Sequence, residues 1–267
     1  MTDRSDFDFD AAPFDIAHVE LAVRDLGTAR FYRDALGLTV HDEQSDRVTL
    51  GAAKPFLTLV EADGAEADDP RRPGLFHVAI HLPSAQALSD WLAFALRAEV
   101  PLTGASDHGA SRAIYLDDPE GNGIEVYRDR PRAEWARDGD GYVIATHRLD
   151  LDALAADAAE AWTGAPEGTT VGHVHLQVGD LDEAAAFYDR VLGMERMAVY
   201  PGASFWSTGR YHHHLGANVW NSRGASRRDG TSAGLAEVVL RADDPTRARL
   251  GTDRIVDPWG IPFALVA

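Results

Sequence analysis

Ala17–Leu38 reads AHVELAVRDLGTARFYRDALGL, and Gly172–Met194 reads GHVHLQVGDLDEAAAFYDRVLGM. HV, L, V, DL, FY and LG return in the same order, and the two copies differ by one residue inside the helical part. Each copy opens on strand-like alternation and passes into an amphipathic helix that ends at glycine. Two fainter copies extend the pattern. GLFHVAIHL at Gly74 returns as GLAEVVLRA at Gly234, and DDPEGNGIEVY at Asp117 returns as VDPWGIPFALV at Val256. Regular self-similarity of this kind means two related halves, each holding two strand–helix–strands units, in an α+β chain. The 267 residues, 45% of them hydrophobic, suffice for two cores. The predicted division is 12–130, a linker with a helix over 131–170, and 171–267. The linker holds DLDALAADAAEAW, whose Ala and Leu favour a helix, followed by the turn-rich TGAPEGTT.

Charge and composition exclude several classes of partner. The net charge is −18 and Lys54 is the only lysine, so phosphate backbones and anionic lipid are repelled, and neither nucleic acid nor membrane is an expected partner. No apolar run reaches membrane-spanning length, and the beginning MTDRSDFDFDAAPFD is acidic, unlike a basic-then-apolar signal. A soluble, cytoplasmic protein is the expectation. Without cysteine, disulfides, thiolate metal sites and cysteine nucleophiles are ruled out, so any metal site must use histidine and carboxylate.

Those residue types recur on strands. In IAHVELAV alternation puts His18 with Ile16, Glu20 and Ala22, opposite Val19, Leu21 and Val23. In GLFHVAIHL, His77 shares a face with Leu75, Ala79 and His81, opposite Phe76, Val78, Ile80 and Leu82. From His108 to Glu125 the sequence runs HGASRAIYLDDPEGNGIE: a short apolar strand carrying Tyr115, a turn of Pro, Asn and Gly, and a strand that sends Glu125 opposite Ile124 and Val126. A carboxylate directed into a sheet's enclosure is costly unless paired or bound to metal. Taken singly, each histidine is more often a satisfied structural residue than a ligand.

His108, five residues, Ile114-Tyr115, two residues, Asp118-Pro119, Gly121 and Glu125 follow a ring-cleavage signature, and with the repeat they mark a resemblance to the vicinal oxygen chelate superfamily, which includes glyoxalases, bleomycin resistance proteins and extradiol dioxygenases. The chain most resembles the catechol 2,3-dioxygenase branch. Ser106 departs from the small set usual two positions before the histidine. The resemblance covers nearly the whole chain, since GRYHHHLGANVW at Gly209–Trp220 also looks like the family's second domain.

The resemblance implies two domains of paired βαβββ modules, each a cupped sheet around a cavity. It implies Fe(II), or Mn(II), held by His18, His77 and Glu125, with His108 and Tyr115 catalytic beside it. Two histidines and one carboxylate leave coordination positions open for substrate and oxygen. It further implies a small aromatic diol and O2 as substrates, a muconic semialdehyde as product, and is compatible with a homo-oligomer. In the second half Ala264 stands where Glu125 would repeat and Glu237 replaces His77, so the metal is expected in the first half, the second being structural or degenerate. His173, His175, His212, His214 and Glu237 could form a modified second site, though structural histidines are the plainer reading. Arg128 or Arg130 could clamp a substrate carboxylate, though surface solvation is more usual. Two other functions fit the fold: a glyoxalase-type metal-dependent lyase or isomerase, which commonly uses a second Glu as base, and a metal-free small-molecule binding protein.

Overall fold

The computed structural model describes residues 7–9, 12–230 and 232–267. The four repeats become four units. The first has strands Phe14–Val23, Thr39–Glu43, Arg47–Gly51 and Pro55–Glu61 with helix Ala29–Leu36, and the second has strands Gly74–His81, Leu102–Asp107, Ser111–Asp117 and Gly123–Asp129 with helix Ala85–Arg97. The third runs from strand Thr170–Gln177 through a helix at Leu181–Phe187 to strands Glu195–Tyr200, Ala203–Ser207 and Leu215–Asn218. The fourth is one strand shorter: Gly234–Ala242, helix Asp244–Leu250, Arg254–Val256 and Pro262–Val266. This is the α+β architecture of paired βαβββ modules, with cupped sheets flanked by helices.

The sheets join units across the two halves. Phe14–Val23 pairs antiparallel with Gly234–Ala242, so the first and fourth units form one seven-stranded sheet. Gly74–His81 pairs antiparallel with Thr170–Gln177, so the second and third units form a nine-stranded sheet, the ninth strand being His147–Arg148. The expected division into 12–130 and 171–267 is therefore not how the strands close: each half contributes one unit to each sheet. The repeat defines the units but is silent on which unit lies beside which. The halves stay tied through their helices, because Tyr32 donates to Asp118 at 2.9 Å and Tyr188 to Asp257 at 3.2 Å, in both copies linking a helix to the DP turn of the next unit.

The one-residue difference between the copies is absorbed in helical winding. In the first unit a tight 3-10 turn, Leu26–Thr28, precedes the helix; in the third the helix widens into a π turn over Tyr188–Leu192. Both end on a left-handed glycine, Gly37 or Gly193. The alternation also sorts the faces. Val19, Leu21, Val78, Ile80, Val174, Leu176, Val238 and Leu240 are buried in one continuous core, which leaves the histidine-bearing faces to line the concave side. Phe76 is the exception, expected beside Val78 but lining the cavity with His77. Its strand has an extra residue there, since His77 pairs with His175 and Leu75 with Leu176. That bulge turns the Phe76 ring inward.

Candidate metal centre

The two sheets carry equivalent positions, and the strand registers identify them. Glu125 pairs with Ala79, two residues beyond His77, and His173 also pairs with Ala79. In the other sheet Ala264 and His18 both pair with Val239, two residues beyond Glu237. So His77, Glu125 and His173 of one sheet correspond to Glu237, Ala264 and His18 of the other. A fourth position follows from the same rule: Gly216 pairs with His175, and Thr58 with Glu20. One sheet thus holds three side chains of the type that can ligate a metal around a glycine, and the other holds a histidine and a glutamate with Ala and Thr.

The first of these sets converges. His77 Nε2 lies 2.9 Å from Glu125 Oε2, His173 Nε2 lies 3.4 Å from the same oxygen, and the two Nε2 atoms are 3.4 Å apart. All three residues are buried. Among the described residues this is the group of three whose donor atoms meet closely enough to hold one ion. Burial raises the Glu125 carboxyl, but His173 and His77 beside it outweigh that and hold it well below the usual carboxylate range. Burial lowers His173 to about 4 against the upward pull of Glu125, keeping it in the neutral form that binds metal. Two imidazole nitrogens and a carboxylate, sequestered together, fit a transition metal such as iron or manganese better than an oxygen-seeking Ca²⁺ or Mg²⁺.

His18 does not join them. It lies in the other sheet, with Nε2 2.8 Å from Thr58 Oγ1, and its partner position Glu237 is ion-paired with Arg254 at 2.6 Å. The expected grouping of His18, His77 and Glu125 does not form: His18 is in the other sheet, and it is His173 from the second half that meets His77 and Glu125. Both histidines open an HV strand of the same face pattern, so alternation cannot choose between them. The choice rests on which of those strands pairs with Gly74–His81. The suggested grouping of Glu237 with His173, His175, His212 and His214 is likewise not formed, because Glu237 is in the opposite sheet.

His108 and Tyr115 do meet beside the centre. Tyr115 pairs in register with Glu125, and its hydroxyl is 2.6 Å from His108 Nε2. His108 Nδ1 lies 2.6 Å from the Ala145 carbonyl, which can only accept, so the hydrogen sits on Nδ1 and the neutral ring's Nε2 accepts from the phenol. Burial and the Glu125 charge push the Tyr115 phenol well above its ordinary value of 10, so it remains a donor. Ala145 belongs to the stretch expected as a linker, and Ile144 and Thr146 on either side of it line the cavity. The linker is thus part of the site.

A second hydrogen-bond chain reaches the cavity from the opposite side. Asp129 Oδ1 is 2.8 Å from His212 Nε2, and His212 Nδ1 is 2.7 Å from His213 Nδ1. Burial raises Asp129, but His212 and His81 hold it far below the usual range, so it is an ionised acceptor. His212 therefore donates from Nε2. In the neutral ring its Nδ1 accepts from His213 Nδ1–H, which leaves His213 Nε2 as a bare lone pair on a residue that lines the cavity. The sequence displays the run His212-His213-His214, but Asp129 lies 83 positions from His212, a separation that no local pattern reveals. His214 itself accepts from the Thr208 amide and turns away from this chain.

The resulting cavity has a volume of about 400 Å³ and contains His77, Glu125, His173, His108, Tyr115 and His213 in its wall. Arg128 and Arg130 do not line it. Arg128 reaches His81 and the Leu82 carbonyl, and Arg130 is paired with Asp107.

Comparison with known proteins identifies the family. The sequence profile of the Glyoxalase/Bleomycin resistance protein/Dioxygenase superfamily matches residues 15–126 and 170–254. A protein of Bacillus subtilis (strain 168) named catechol-2,3-dioxygenase is 40% identical over 228 residues, covering 82% of this chain and 80% of that one. Among solved structures, a candidate dioxygenase from Bacillus subtilis subsp. subtilis str. 168 is similar with a TM-score of 0.60 at 16% identity, covering 94% of this chain and 84% of the other. Glyoxalase I from Zea mays has a TM-score of 0.55 at 18% identity, covering 96% and 93%. At these identities the two structures speak for the fold alone. With a profile that spans both halves and a relative matching over most of its length, the chain belongs to the glyoxalase/bleomycin resistance protein/dioxygenase superfamily.

Proposed function

We propose that the protein is an extradiol dioxygenase that opens the ring of a catechol with O2 and yields a muconic semialdehyde, both oxygen atoms entering the product. The observation that carries this reading is Gly216. It stands where the third unit would repeat Glu125, so the site offers two histidines and one carboxylate and no fourth side-chain ligand. Such a set leaves adjacent positions open for the two oxygens of a catecholate and for O2. A glyoxalase-type lyase or isomerase would want a second carboxylate as base, and Gly216 supplies none. A Cβ there would lie 3.0 to 3.2 Å from the His175 ring, tighter than ordinary contact. The Bacillus subtilis relative named catechol-2,3-dioxygenase supports the same reading.

Fe(II), or alternatively Mn(II), would be held by His77, Glu125 and His173, and when bound it supplies Lewis-acid and one-electron chemistry toward O2. The remaining work falls to the chain. A catechol must lose protons as it binds, and His213 Nε2, a bare lone pair fixed by the Asp129–His212 chain, is placed to accept one. The Tyr115 hydroxyl can turn its hydrogen to a substrate oxygen, or pass a proton from the substrate on to the lone pair of His108 Nε2.

The test is anaerobic reconstitution with Fe(II) followed by oxygen uptake on a panel of catechols. The reading expects stoichiometric O2 consumption and a yellow semialdehyde at neutral to basic pH. No uptake on any catechol, together with turnover of a hemithioacetal or an epimerisable acyl thioester by zinc- or nickel-loaded protein, would replace it with the lyase or isomerase alternative. No metal retention at all would favour a binding protein.

A further inference from the structure

The cavity wall that adjoins His77 has a marked chemical bias. Phe76, Phe205 and Trp220 surround His175, with ring centroids 5.0, 5.5 and 5.5 Å from its own, and Phe76 and Trp220 touch edge to face at 5.3 Å. Trp220 is 44% exposed and so stands at the rim, but its position is fixed: its indole N–H donates to the Pro201 carbonyl at 2.8 Å, and its amide to Asn218 Oδ1 at 3.1 Å. His175 offers this wall no Nε2 donor, because that nitrogen accepts from the Asn218 side-chain amide at 3.2 Å.

Charge points the same way. Among the described residues lining the cavity there is no lysine and no arginine, and the one carboxylate besides Glu125 is Asp117. The arginines nearest in sequence to Glu125 are engaged elsewhere, Arg128 with His81 and the Leu82 carbonyl, Arg130 with Asp107. The whole chain carries −18. An anionic substituent would be repelled on approach and desolvated without a counter-charge on entry. The volume of about 400 Å³ falls within the roughly 300–1,000 Å³ that encloses drug-sized ligands and leaves space beyond a single ring.

We infer that the Phe76–Phe205–Trp220 wall is a specificity subsite for an uncharged apolar substituent, above all a second aromatic ring, and that carboxylated catechols are rejected. This rests on the catechol reading of the same site. The offset and edge-to-face surfaces that such rings prefer are already presented, with Trp220 anchored at the rim.

The experiment compares phenylcatechol, catechol and dihydroxybenzoate on the Fe(II)-loaded protein, by oxygen uptake and, independently, by equilibrium dialysis under anaerobic conditions. Phenylcatechol should exceed dihydroxybenzoate in kcat/KM by at least about 100-fold, since an unpaired buried charge is rejected more strongly than a missing apolar contact. Trp220→Ala should erase most of the advantage of phenylcatechol over catechol. Trp220→Arg should raise the relative kcat/KM for dihydroxybenzoate. Equal binding of dihydroxybenzoate and phenylcatechol, or a phenylcatechol-to-catechol ratio unmoved in Trp220→Ala, overturns the inference. Selective binding of phenylcatechol with no oxygen uptake on any catechol supports the subsite and overturns the oxygenase reading, so the two can fail separately.

Discussion

His108 has its Nδ1 hydrogen committed to the Ala145 carbonyl, so a proton can pass through its Nε2 only by way of the Tyr115 hydroxyl. Neither residue belongs to the His77–Glu125–His173 group. His108→Ala and Tyr115→Phe should therefore keep full metal content while turnover falls on the order of 10²- to 10⁴-fold, His108→Ala more than Tyr115→Phe, as measured by oxygen uptake alongside metal analysis. Normal turnover in His108→Ala would mean that the proton is handled elsewhere, with His213 the next residue to replace. At this scale much of the site is legible in the sequence. His77, Glu125, His108 and Tyr115 lie in one unit, and their mutual placement follows from strand alternation and one turn. His173 and the Asp129–His212–His213 chain are not legible in that way, because they depend on contacts between distant segments: His77 with His173 are 96 positions apart, and Asp129 with His212 are 83 apart.

The elements hold these residues through close backbone approach. Glu125 sits on a strand whose first residue, Gly123, runs against Gly74–His81. A Cβ at Gly123 would fall 2.1 Å from the Phe76 carbonyl oxygen and 3.2 Å from His77 Cβ. Gly123→Ala must push the two strands apart, at a cost of about 3 kcal/mol, and should weaken metal binding by separating Glu125 from His77. Gly104→Ala is the control. Its Cβ would meet only the Tyr115 ring at 3.7 Å, so denaturant unfolding should show a change of under about 0.5 kcal/mol. Comparable losses in the two variants would contradict the packing argument. Helices and strands themselves are largely readable from the repeat, down to the extra residue between the copies. Its accommodation as a 3-10 turn in one and a π turn in the other is a matter of packing, and so is the bulge that turns Phe76 into the cavity.

Over the whole molecule, the two halves are interleaved, first unit with fourth and second with third. A repeat is blind to this arrangement, since either pairing satisfies the same alternation and buries the same apolar faces. The interleaving concentrates histidine at the second–third junction, where His173, His175, His213 and His214 are all buried and all have their pKa lowered by burial. His214, lowered to about 3, binds no metal in this account. Its folded pKa lies below the unfolded value of about 6.5, so it favours the fold fully above pH 6.5, and that stability is lost as pH falls toward 3. In metal-free protein His214→Asn, which can still accept from the Thr208 amide, should have a shallower stability–pH slope by up to about 1.4 kcal/mol per pH unit between pH 4 and 6. Urea unfolding across that range measures it. An unchanged slope would mean that His214 is not held neutral by the fold.

The central claim is that the metal centre spans the halves, with His77 and Glu125 from the first and His173 from the second, while His18 belongs to an equivalent set that has lost its ligands. Iron content after anaerobic Fe(II) loading, measured on folded His173→Ala and His18→Ala proteins side by side, tests it most directly. His18→Ala should retain one tightly bound iron per chain, and His173→Ala should retain none. Iron kept by His173→Ala and lost by His18→Ala, with both proteins folded, would contradict the account.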